Sequence, residues 1–291
     1  HLSELWSGVF QLRAIKTLLE TPSDGTLAEL AENLSTIRQA VVVSGNLKTA
    51  LIGEESALAA ATNAAVGIYE RLQQPPVSLG SGDGFGPPPL DLPTDPVREG
   101  WSTSSAVSFV AQAFETVRME HPDAPALAVI SKLLRSLYLH REIREKGGAY
   151  GGFSLYNPED GLFCFASYRD PHVSATLKVY ENAAGFVRSD AYKETDIDEA
   201  VLQMCSEIDK PDPPGPAARK AFYRKIIGLT DEARQQFKQA LLLLNRRQVR
   251  ETAEKYFDPG RDPDSVAVIS GESQLQKANA ELKPPLELHR I

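Results

Sequence analysis

Arg144-Glu145-Lys146-Gly147-Gly148-Ala149-Tyr150-Gly151-Gly152-Phe153 is the stretch around which the rest of the chain is ordered. A long apolar helical pattern ends in its charged residues. Two glycine pairs then flank a tyrosine, and two strand-like segments come next, 149–157 and 161–169. Pro158-Glu159-Asp160-Gly161 is turn chemistry, so the two segments read as a hairpin. Arg144 lies where a cation suits the negative end of a helix dipole. Gly147 and Gly148 permit the positive backbone angles of a helix stop. On the residues alone, two readings of Arg144 and Tyr150 stand. Either Arg144 caps the helix and Tyr150 fills a pocket, or a guanidinium and a phenol lie side by side as donors for a carbonyl or a developing oxyanion. Gly151 and Gly152 lack side chains, so another backbone can approach closely there.

Upstream of the stretch, Leu127, Ile130, Leu134, Leu137 and Tyr138 form one apolar stripe. This predicts a helix from Ala124 to about Glu145, with Asp123 as its cap and Pro125 at its start. Before it, Ser105 to Phe114 alternates: Val107, Phe109, Ala111 and Ala113 fall on one face, Ser108, Val110 and Gln112 on the other, which predicts a strand. Downstream, Pro171 can open a helix running to about Ser189, and another spans 196–209. Pro211 to Pro216 interrupts the pattern. Helices 217–227 and 231–256 come after it, then a strand Asp264–Gly271, a helix 272–282 and a last strand Leu286–His289. The order predicts an α+β fold, a mostly antiparallel sheet with helices packed on one side.

The first part reads as a helix over 2–20, a second opened by a capping box of Thr26 and Glu29, a strand Leu47–Ile52 and a helix Ser56–Leu72. Leu51-Ile52-Gly53-Glu54-Glu55-Ser56-Ala57-Leu58 matches Val268-Ile269-Ser270-Gly271-Glu272-Ser273-Gln274-Leu275 in register, with Glu55, Ser56 and Leu58 repeated as Glu272, Ser273 and Leu275. Residues 1–72 therefore read as the C-terminal part of a preceding domain of the type that 101–291 shows nearly whole. The Pro/Gly-rich 73–100 reads as the linker between them. His1 falls in mid-pattern, so the sequence is expected to be a piece of a longer protein.

The 291 residues carry 31 basic and 39 acidic side chains, a net charge of −8. A nucleic-acid surface needs clustered Lys and Arg, so that class is disfavoured. No apolar run is long enough to span a bilayer, and no membrane partner is expected. Cys164 and Cys205 stand alone; Cys164, in Leu162-Phe163-Cys164-Phe165, is expected in the core. His1, His121, His140, His172 and His289 show no HExxH or HxxEH spacing, and no metal ligand is expected among them. The acidic group Asp190, Glu194, Asp196, Asp198 and Glu199 suits the start of a helix.

Leu139 to Gly152, with REKGGAYGG at its centre, resembles a signature in the C-terminal half of M16 zinc metallopeptidases, within the presequence-protease group that includes falcilysin-like enzymes. The hairpin after it and the Tyr168-Arg169-Asp170-Pro171 step support the resemblance. It implies a domain like those of mitochondrial processing peptidase, an activity on short unfolded peptides such as targeting presequences, and zinc as the cofactor of the full-length enzyme. In that family the metal lies on an HxxEH in the N-terminal half, which this chain lacks, so this fragment is expected to bind no zinc and to be inactive alone. The resemblance implies that Arg144 holds a substrate carbonyl and Tyr150 helps to stabilise the oxyanion, as catalytic and substrate-binding residues, with Gly151 and Gly152 beside the substrate. The implied partners are the unfolded peptide and the N-terminal half of the same protein. An incomplete domain exposes apolar surface, which allows the isolated fragment to dimerise. A mitochondrion or plastid-like organelle is implied by the resemblance alone. The alternative is a non-catalytic assembly subunit of the same fold.

Overall fold

The computed structural model describes residues 7–20, 22–72, 96–189, 191–257 and 265–291. The chain divides into two compact units, His1–Leu92 with Pro211–Gly228, and Pro93–Lys210 with Leu229–Ile291. Most of the expected linker 73–100, and Asp264 and Asp190, lie outside the described residues. Two departures from the expected boundaries stand out. A strand already runs through 98–100, and 211–228 groups with the N-terminal helices instead of with the rest of 101–291. No helix among the described residues is long and apolar enough to cross a membrane.

The first unit contains α1 (Val9–Glu20), α2 (Asp24–Val41), a single 3-10 turn at Ser44–Asn46 and α3 (Glu55–Arg71). The helix Pro214–Ile227, α7 in chain order, completes it. α2 starts earlier than Thr26: the Ser23 hydroxyl accepts from the Thr26 amide at 3.1 Å and is the cap. Residues 47–52 form no strand. A strand needs a neighbour to take its backbone groups; here the Tyr69 hydroxyl donates to the Leu47 carbonyl at 2.9 Å instead. None of these four helices buries a residue fully, and Phe10, Ile15, Leu34 and Ile37 are exposed.

The second unit is built on a six-stranded sheet in the order β3-β4-β2-β5-β1-β6. Its strands are β1 (Arg98–Thr103), β2 (Ser108–Glu115), β3 (Gly151–Asn157), β4 (Leu162–Asp170), β5 (Ser265–Gly271) and β6 (Glu287–Arg290). The β3–β4, β4–β2 and β2–β5 pairings are antiparallel; β1 runs parallel to β5 and β6. The helices are α4 (Ala124–Leu133), continued by a π-helix (Leu134–Lys146), then α5 (Ser174–Arg188), α6 (Glu194–Asp209), α8 (Asp231–Leu242), α9 (Arg246–Tyr256) and α10 (Glu272–Glu281). The fold is α+β.

One sheet face is the core. Val110, Phe114, Phe163, Phe165, Val266 and Val268 point into it and are buried. Phe257 closes an aromatic cluster there, 4.9 Å from the Phe163 ring and 5.1 Å from the Phe114 ring, both edge-on. The other face carries the residues that alternate with these: Phe109, Ala111, Cys164, Ala166, Tyr168, Ala267 and Ile269, none of them fully buried. Cys164 is therefore not a core residue; desolvation still raises its thiol pKa.

The expected helix 231–256 is two helices. Asn245 caps α9, accepting from the Gln248 amide at 3.1 Å while the Gln248 side chain accepts from the Asn245 amide, so the chain restarts there. Asp123 makes no side-chain cap for α4. Its carboxylate instead accepts from Lys255 at 2.6 Å and Tyr256 at 2.8 Å, which ties the start of α4 to the end of α9.

Candidate functional site

The helix that leads to REKGGAYGG widens halfway along. From Leu134 it is π-helical, a geometry rare in long runs and recurrent at functional sites. Leu134, Leu139 and Ile143 are buried residues that repeat along it, at steps near the wider π turn. Two glycines end it for different reasons. At Gly147, whose φ is ordinary, a Cβ would lie 2.6 Å from the Ile143 carbonyl oxygen. At Gly148 the chain turns with φ +77°, the left-handed value a helix stop needs. The Gly148 amide donates to the Arg144 carbonyl and the Ala149 amide to that of Ile143, both at 3.1 Å.

The chain then enters the sheet at its edge. The Tyr150 amide donates to the Tyr168 carbonyl at 3.1 Å and lies 3.4 Å from that of Arg169. Arg169 sits at a bulge where the β2–β4 register shifts, with φ 50°, in the left-handed region that a residue with a side chain seldom occupies. Asp170 anchors the step into α5. Fully buried, its carboxylate accepts from the His172 amide at 2.9 Å and the Thr176 hydroxyl at 2.7 Å, which holds the start of that helix.

These constraints bring Arg144 and Tyr150 together. The Arg144 guanidinium carbon lies 5.8 Å from the centre of the Tyr150 ring, in cation–π range. Tyr150 is 64% exposed, so it fills no pocket. It also meets Tyr168 edge-on at 5.8 Å, and Arg169 lies 5.6 Å from the Tyr168 ring. The result is a continuous row, Arg144, Tyr150, Tyr168, Arg169, in which two arginines flank two tyrosines. Neither arginine forms an ion pair among the described residues, so both guanidinium groups keep donors for an external acceptor. Tyr168 and Arg169 are not singled out as site residues by the sequence; the Tyr-Arg-Asp-Pro step is their only signal there. Phe109, 5.4 Å from Tyr168, continues the row onto the open sheet face.

The second glycine pair is placed differently. Gly151 and Gly152 are buried. A Cβ on Gly152 would lie 3.0 Å from Ile143 Cβ and 3.1 Å from the Leu139 carbonyl oxygen. The backbone that approaches Gly152 is the π-helix of the same chain.

Among the described residues no three His, Cys, Asp or Glu side chains converge to hold a metal. These residues therefore do not fit zinc.

Comparison with known proteins places this geometry in a family context. The family model described as "PreP C-terminal domain" matches residues 103–270. The chain is 28% identical over 302 residues to a protein of Xenopus tropicalis named "Presequence protease, mitochondrial", an alignment that covers 94% of this chain and 28% of the relative. A protein of the same name from Gibberella zeae is 30% identical over 254 residues, with 87% of this chain and 24% of the relative covered. The chain thus spans about a quarter of the length of these relatives. Among solved structures, a protease from Helicobacter pylori matches with a TM-score of 0.54 at 16% identity, over 72% of this chain and 52% of that one. Pitrilysin matches with a TM-score of 0.53 at 15% identity, over 80% of this chain and 25% of that one. Identities this low speak to the fold alone.

Proposed function

Because the chain belongs to the PreP C-terminal domain family, we propose that it is the C-terminal, substrate-binding half of a zinc-dependent endopeptidase of the M16 type that degrades short unfolded peptides, presequences among them. The observation that carries the reading is the exposed Arg144–Tyr150 pair, 5.8 Å apart and held by the helix stop on one side and the Arg169 bulge on the other. Arg144 binds a carbonyl oxygen of the substrate backbone. Tyr150 donates its phenolic proton as a hydrogen bond to the oxygen that gains charge at the scissile carbonyl; a donor fixed at that position commonly contributes about 2.7–4 kcal/mol to the barrier. The half-exposed face of Phe109, Ala111, Ala166 and Tyr168 gives the substrate's apolar side chains a surface next to the pair.

Zinc belongs, in this proposal, to an N-terminal half of the same protein, because the residues described here do not fit it. Residues 1–72 are the end of the domain before 101–291, and the mitochondrial names of the relatives support a mitochondrial location. The exposed apolar faces of α1 and α2 support dimerisation of the isolated chain, read by sedimentation.

The test is made in the full-length enzyme. Arg144→Ala and Tyr150→Phe should each lower kcat on a fluorogenic presequence peptide by roughly a hundredfold, with zinc content unchanged. Wild-type turnover in both variants refutes the assignment and favours an assembly subunit of the same fold.

A further inference from the structure

A cavity of about 280 Å³ opens beside the outer edge of the sheet, among α4, the start of the π-helix, β3, α6 and α8. It is separate from Arg144 and Tyr150, neither of which lines it. The volume admits roughly nine water-sized groups, enough for a small amphiphile.

Three features define what would fill it. The first is an adaptable apolar wall. The chain has two methionines, and both of them, Met119 and Met204, line this cavity with Ile208 and Phe237. Methionine's flexible thioether suits a wall that must mould to a ligand. The second is an orphaned donor. Ser154 lines the cavity, is 3% exposed, and its hydroxyl finds no hydrogen-bond partner among the described residues. A buried hydroxyl is costly to leave unsatisfied, so a ligand oxygen that accepts from it gains affinity.

The third is the charge at the wall. Lys132, Arg135 and Arg234 line the cavity against one acid, Glu207. Lys132 is occupied by Glu207, at 2.8 Å to each carboxylate oxygen. Among the described residues Arg234 pairs with Asp231, which is 88% exposed, a contact that water screens. Arg135 rests on the Phe153 ring at 5.4 Å and forms no ion pair among the described residues. An apolar body with one anionic head answers all three features. An alcohol lacks the charge, and an amine would meet unneutralised cations.

We propose that this cavity is a binding site for a small amphiphilic monocarboxylate, with the carboxylate at Arg135 and Ser154 and the apolar chain against the two methionines. The whole 291-residue chain, labelled at its methionine methyl groups, reports on the site directly, because both methyl signals arise from its wall. Titration with octanoate should shift both signals saturably, with one molecule bound per chain by calorimetry. Octylamine should shift neither at the same concentrations, and octan-1-ol should bind at least tenfold more weakly. Arg135→Gln, at an exposed position that leaves the fold intact, should weaken octanoate by about tenfold. Unmoved methyl signals, equal binding of the amine, or an Arg135→Gln variant with wild-type affinity would each overturn the proposal.

Discussion

Gly152→Ala tests the join between the π-helix and the edge strand on which the Arg144–Tyr150 geometry depends. The new Cβ would lie 3.0 Å from Ile143 Cβ, 3.1 Å from Ile143 Cδ1 and 3.1 Å from the Leu139 carbonyl oxygen, where ordinary contact begins at 3.4 Å. The isoleucine methyl can rotate away, but Cβ and the backbone carbonyl cannot, so helix and strand must separate by a few tenths of an ångström. Overpacking of this kind costs about 1–3 kcal/mol. The smaller unfolded-state entropy of alanine returns about 0.4–1 kcal/mol. The net is a loss of about 1–2 kcal/mol, or roughly 2–8 °C in Tm for a unit of this size. Gly185→Ala is the matched control. It lies in α5 with nothing within 4 Å of the added methyl, so it should gain about 0.5–1 kcal/mol from helix propensity alone. Thermal unfolding followed by near-ultraviolet circular dichroism reads both. If Gly152→Ala matches or exceeds the wild type while Gly185→Ala shows its expected gain, the tight contact between β3 and the π-helix is wrong.

Two further outcomes are expected. Phe163→Ala removes a fully buried ring that packs on Phe114, Phe165 and Phe257, and should cost about 3–5 kcal/mol in urea unfolding; a loss below about 1 kcal/mol would mean that the cluster repacks freely. Burial pushes the Asp123 carboxyl upward, but the hydrogen bonds from Lys255 and Tyr256 outweigh it and hold its pKa below the ordinary value. A carboxylate depressed in the folded state stabilises fully above its unfolded value, near pH ~4, and loses that contribution as pH falls through the folded value. Lys255 is exposed and Asp123 half-buried, so water screens the pair in part and about 1 kcal/mol or less rides on it. In Tyr256→Phe the Asp123 titration followed by NMR should move up toward the ordinary value; an unmoved midpoint would remove Tyr256 from the set of groups that hold it down.

Sequence patterns were reliable where the forces are local. The Pro158–Gly161 turn and the alternation around it gave the β3–β4 hairpin, because a tight turn fixes the register of its own arms. The apolar stripe from Leu127 to Tyr138 located α4 and its continuation, although not the widening to a π-helix, which the packing of Leu139 and Ile143 against Gly152 accompanies. Capping was missed at Ser23 and Asn245. At Asn245 a continuous helical pattern ran past the side chain that restarts the helix; at Ser23 the Thr26–Glu29 box just downstream mimicked the start. Asp123 is the reverse, a residue of capping type whose carboxylate is taken by Lys255 and Tyr256, 132 and 133 positions away.

Short-range chemistry thus specifies the α+β class, most of the helices, the hairpin and the placement of Arg144 and Tyr150 around a glycine stop. Each of these rests on hydrogen bonds and side-chain spacing within a few residues. Three other matters were settled by long-range packing. It made a strand of Arg98–Thr103, whose parallel partners β5 and β6 lie at the far end of the chain, and withheld one from 47–52, which has no ladder to join. It chose which face of β2 is the core: Val110 and Phe114 are covered, while Ala111 and Phe109 stay open, because the helices pack on one side of the sheet only. And it set Tyr168 and Arg169 beside the pair, since a bulge in a neighbouring strand, invisible in either strand's own pattern, aims them there.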